Sequence, residues 1–113
     1  MNFDSLAGDR LSAVEFVHEH VQLRFEEALL TLYVWPDMAD ADGISVGYGQ
    51  PNYRDALCSI IDEAVSSADF AEGDALTIEF ENGSVLALSL RDEDLDTPEV
   101  GSFTSADGDT TEF

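Results

Sequence analysis

Between residues 76 and 90 the chain reads "LTIEFENGSVLALSL", two apolar runs around Asn82-Gly83. Leu76, Ile78 and Phe80 alternate with Thr77 and Glu79. Leu86, Leu88 and Leu90 alternate with Ala87 and Ser89, again the period of a half-buried strand. A two-residue Asn-Gly turn would set Leu86 opposite Glu79 and send the two apolar faces to opposite sides of the ribbon. A three-residue loop, Glu81-Asn82-Gly83, with Gly83 left-handed as a bulge, pairs Ile78 with Leu86 and Leu76 with Leu88. Because a one-residue slip reverses every side chain, the bulged loop is expected. Val65, Ala68 and Phe70, ahead of the turn signal "AEGD", predict one more strand. The second half is thus a meander over roughly 64–71, 75–81 and 84–91.

The first half reads as a degenerate copy. Leu11, Val14 and Phe16 lead to a turn at His18–His20, Val21, Leu23 and Phe25 to a Glu26-Glu27 turn, and Leu30, Leu32 and Val34 follow. Phe25-Glu26 and Phe80-Glu81 are the clearest matching points of this internal repeat. Between the halves "WPDMADADGISVGYGQPN" reads as a long loop with at most a short strand near Ile44–Tyr48. Asn52 then stands as a helix cap, with Asp55 in a capping-box-like position. Tyr53, Leu57, Ile60, Ile61 and Ala64 predict an apolar helical face of about three turns. "TSADGDTTEF" at the end reads as an edge hairpin or a frayed end. The expected fold is one α+β domain over residues 1–113: two three-stranded meanders in an antiparallel sheet, one central helix packed on it, and an acidic tail at 92–113.

Charge changes this picture more than composition does. Twenty-five acidic residues face four arginines and no lysine, for a formal net charge of −21. Such a field repels nucleic acid and anionic membranes and attracts basic proteins or multivalent cations, so direct nucleic-acid binding is not expected. The single cysteine, Cys58, excludes an intrachain disulfide, which fits a cytoplasmic protein. "MNFDSLAGDR" has no basic and apolar regions of a secretory signal, and no apolar run is long enough to span a membrane.

Candidate chemistry is sparse. His18 and His20 are the one histidine cluster, and alternate strand residues can share a metal, but spacing indicates no third ligand. Two exposed turn histidines are the simpler expectation. "DMADADG" resembles a calcium loop only in its Asp40, Asp42 and Gly43. Met38 falls on its first ligand position and Gly49 on the bidentate one. Cys58, beside the apolar stripe, reads as a small buried thiol and not a nucleophile. No cofactor is implied and an enzyme is not expected. Trp35 and Tyr48 flank the central loop, either as interface anchors or, for Trp35, as cover for the core.

Several motifs resemble a family of small acidic bacterial proteins associated with polymorphic toxin systems. They are Leu6-Ala7-Gly8, Tyr53-Arg54-Asp55-Ala56-Leu57, the stretch Leu76 to Leu86, and Ser89 to Asp94 with Pro98-Glu99. The family pattern often has glycine where this chain has Asp62. What the resemblance implies is an immunity protein or other neutralising partner, without catalysis. Charge leads to an acidic protein that binds a basic partner; together with the resemblance it implies one that covers the cationic cleft of a nucleic-acid-targeting toxin, with steering that raises association rates by roughly 10–10³-fold. A DNA-mimic inhibitor uses the same electrostatics, and a salt-adapted proteome produces the same composition without a partner. The expected binding residues are Asp92, Glu93, Asp94, Asp96 and Glu99, the densest acidic cluster, joined by Trp35, Asp37, Asp40, Asp42 and Tyr48.

Overall fold

The computed structural model describes residues 3–95 and 99–113. Strands β1 (Leu11–Val17), β2 (His20–Phe25) and β3 (Leu29–Leu32) form the first meander, and β4 (Asp37–Ala39) and β5 (Ser45–Val46) a hairpin. After α1 (Tyr53–Cys58) come β6 (Val65–Ala71), β7 (Ala75–Phe80) and β8 (Val85–Ser89), the second meander. A second hairpin, β9 (Gly101–Thr104) and β10 (Thr110–Glu112), ends the chain. Each hairpin crosses to the other meander: β9 pairs with β3, and β4 pairs with β8. The result is two five-stranded antiparallel sheets, ordered β1-β2-β3-β9-β10 and β5-β4-β8-β7-β6.

Alternation explains the layers. Val21, Leu23 and Phe25 of β2, Leu76, Ile78 and Phe80 of β7, and Leu86 and Leu88 of β8 are buried in one core shared by both sheets. The β7–β8 register is the expected one, Ile78 against Leu86 and Leu76 against Leu88, with Gly83 at φ 88°. Several expectations fail. The meanders lie in separate sheets, and strand (45%) far exceeds helix (12%), so the fold is mostly β and not α+β with a helix laid on one sheet. The helix has six residues where three turns were expected, because i→i+3 bonds (Ile60 N–H to Leu57, Ile61 N–H to Cys58) tighten it and Asp62 turns left-handed at φ 75°. Asn52 precedes the helix at φ 69° and its side chain makes no capping bond. Cys58, expected to be buried, is exposed at the helix end.

The two halves repeat in detail. Leu11 N–H donates to Glu63 O and Val65 N–H to Asp9 O; Gly8 N–H donates to Val65 O and Asp62 N–H to Leu11 O. These reciprocal bonds surround an antiparallel bridge between Arg10 and Ala64, which joins the starts of β1 and β6. Asp62 thus occupies the position that Gly8 (φ 90°) holds in the first half. β1 and β6 carry a bulge at the same place, where Ser12 and Ser66 donate to the carbonyls of Arg24 and Glu79. The hairpin tips match as well. Asp40 N–H bonds Ile44 O and Gly43 N–H bonds Asp40 O, as Ser105 N–H bonds Asp109 O and Gly108 N–H bonds Ser105 O.

Candidate partner-binding surface

The exchanged hairpins decide which candidate residues meet. Met38 pairs with both Leu86 and Val46, and Asp37 with Ala87. Continuing that register brings Trp35 and Tyr48 to the end of the sheet where β8 leaves through Ser89. The acidic segment starts there. Its residues Asp92, Glu93 and Asp94 form one exposed 3-10 turn, held by a bond from Ser89 Oγ to Asp94 Oδ2 (2.6 Å). Arg91 lies 3.6 Å from Glu93, both well exposed. Leu90 N–H donates to Asp74 O, so the β6–β7 turn with Glu72 and Asp74 joins the same acidic region. No local pattern links Glu72 to Asp92; the tertiary pairing does. Glu99 is exposed beside buried Val100, and Asp96 lies outside the described residues.

Asp40 and Asp42 go elsewhere. They sit in the β4–β5 turn, at the other end of β4, where the backbone of Gly83 lies against Ala41. Asp40 Oδ1 accepts the N–H groups of Asp42 and Ile44, each at 3.0 Å, so this carboxylate shapes its own turn. The central loop therefore places Asp40 and Asp42 at the opposite end of β4 from Trp35.

Aromatic side chains crowd the first end. Trp35 stacks on Tyr48 with centroids 4.5 Å apart and planes 11° from parallel, and on its other side on Phe16 at 6.3 Å. Tyr53 meets both Trp35 and Tyr48 edge-on, and the Arg54 guanidinium lies 5.2 Å over the Phe16 ring. Trp35 is half-buried against the core while Tyr48 is 62% exposed, so Trp35 is both cover and support for an open tyrosine face. The Tyr53 hydroxyl donates to Pro36 O. Burial, with the charge of Asp37 and the neighbouring Tyr48 adding to it, pushes the Tyr53 phenol well above its ordinary range. Asp37 is exposed on β4, with its Oδ1 against the backbone of Gly47. Phe16, Tyr53 and Arg54 were not expected here, although the stripe containing Tyr53 was visible.

The histidines do not lie on one strand. His18 sits in the β1–β2 turn at φ 49°, and His20 opens β2 edge-on to Tyr33. Among the described residues no group of three or more His, Cys, Asp or Glu side chains converges as a metal site. No helix there is long and apolar enough to cross a membrane. No family model, curated protein or solved structure matches this chain.

Proposed function

We propose that this is a non-catalytic acidic binding protein that captures a basic partner, acting as an immunity-type inhibitor of a toxin that works on nucleic acid. The observation that supports this reading most is the exposed turn Asp92–Asp94, which leaves the second sheet after β8, the strand that pairs with β4 next to the Trp35–Tyr48 stack. Exposed carboxylates supply long-range attraction, and an open aromatic face supplies a contact that desolvates on binding. The resemblance of the sequence motifs to those of toxin-neutralising proteins is in keeping with it. Changing Asp92, Glu93 and Asp94 together to lysine tests it against basic nuclease toxins by stopped-flow association. The wild type should associate with rates that fall steeply with salt, and the variant should lose mainly association rate, by about tenfold or more at low salt. Unchanged kinetics at low salt would reject the reading.

A second reading, salt adaptation, draws on a different observation. Exposed carboxylates also occupy turns far from this end, including Glu26, Glu27, Asp40 and Asp42. It predicts full stability only at molar salt and no salt-dependent capture of basic proteins.

A further inference from the structure

The repeat makes one aromatic position of the first half comparable with its counterpart in the second. Leu30 pairs with Phe103 and Leu32 with Gly101, and Tyr33 N–H donates to Val100 O. In the other sheet Leu86 pairs with Met38. With β3 and β8 equivalent, Val100 stands where the first half has Trp35. The hairpin registers likewise make Phe113 the counterpart of Tyr48, and the matched bulges make Phe70 the counterpart of Phe16. In the first half an indole fills the space between the two rings. In the second half a valine stands at that position. Phe70 and Phe113 meet edge-on at 5.3 Å, and beside them opens a cavity of about 490 Å³ floored by Phe70, Leu90, Val100 and Phe113. Its volume falls within the usual range of about 300–1,000 Å³ for binding pockets.

Among the described residues the rim carries one sign of charge. Glu72, Asp92 and Glu112 come from the β6–β7 turn, the acidic 3-10 turn and β10, and all three are exposed. The geometry points to this cavity as a socket for an aromatic side chain presented by a basic segment of a partner protein. The inference rests on the basic-partner reading and adds to it where the partner inserts and by what side chain. The ring buries against the apolar floor, while flanking lysines or arginines meet the three carboxylates.

The probes are the peptides Arg-Lys-Trp-Lys-Arg, Arg-Lys-Ala-Lys-Arg and Gly-Gly-Trp-Gly-Gly, titrated calorimetrically and followed by the methyl resonances of Val100 and Thr111. The basic tryptophan peptide should bind about tenfold or more tighter than the alanine peptide and shift both methyls. Val100→Trp, which puts an indole of this chain into the cavity, should abolish that preference while melting cooperatively. Should that variant not fold, Glu72→Lys with Glu112→Lys, both exposed, should weaken the basic tryptophan peptide and lower its salt dependence. Equal binding of the two basic peptides, or methyls that do not shift, would overturn the socket and leave the basic-partner reading standing. Equally tight binding of the glycine-flanked peptide would overturn the role of the acidic rim. Binding by none of them would remove support from both.

Discussion

At Gly83 the backbone takes φ 88°, and a Cβ built there would come within 2.8 Å of the Ala41 Cβ. Gly83→Val therefore meets two costs, a left-handed conformation that β-branched residues resist and a clash with the β4–β5 turn. The expected loss is about 1–3 kcal/mol from the backbone alone, with more from the clash. A denaturant melt with an unchanged midpoint would show that the loop does not set the register. Tyr53 gives a residue-scale prediction in pH. Its phenol is held above the ordinary value of 10.0, so the folded state keeps the proton longer than the unfolded chain does. The stabilisation is intact below about pH 10 and declines as pH rises past it, because the unfolded chain ionises first. Tyr53→Phe should lose about 1 kcal/mol near neutrality, from the Pro36 carbonyl left without its donor. It should also flatten the alkaline fall in melting temperature.

The exchanged hairpins are the elements on which the fold depends. β9 lies inside its sheet, between β3 and β10, and Phe103 is 1% exposed. Its counterpart Met38 on β4 is 2% exposed. Phe103→Ala should cost about 3–5 kcal/mol and Met38→Ala about 2–5 kcal/mol, as for core truncations elsewhere. A frayed terminal segment would lose almost nothing at Phe103, so equilibrium unfolding of this variant discriminates directly. β4 escapes a reading of local pattern because it has three residues, one of them proline-adjacent, and Met38 is its one large apolar residue. What makes it a strand is β8, which pairs residue 87 with residue 37. The helix illustrates the converse. Its apolar spacing continues past Cys58, but Leu57 and Ile60 enter the core as Phe3 and Leu6 do in the first half, and the chain must turn at Asp62 to start β6.

Over the whole molecule, charge sets the balance. A net charge of −21 spread over 6295 Å² of surface is met, among the described residues, by ion pairs at Arg10, Arg24 and Arg91 whose arginines are well exposed. Exposed pairs of this kind contribute roughly 0–1 kcal/mol each, too little to offset self-repulsion. Raising salt from ~10 mM to ~500 mM shortens the screening length from about 30 Å to a few ångströms, and the melting temperature should rise accordingly. A melting temperature independent of salt would mean that the carboxylates are already neutralised by bound cations.

From sequence alone came six strands, the turn between β7 and β8 with its register, the repeat in outline, and the acidity. All of these rest on period-two alternation, on the demand of a loop for a left-handed residue, or on composition, which are properties of neighbours in the chain. The triads Ala41-Asp42-Gly43 and Ala106-Asp107-Gly108 also stood in the sequence as a mark of the second repeated hairpin. Tertiary structure alone decided that the hairpins cross between sheets, that Glu72 and Glu112 join Asp92, and that Asp40 and Asp42 do not. It also decided that Val100 stands where the first half has Trp35. Those facts depend on which strands pair across tens of residues, and pairing is chosen by how two sheets close on a common core, which no local period encodes.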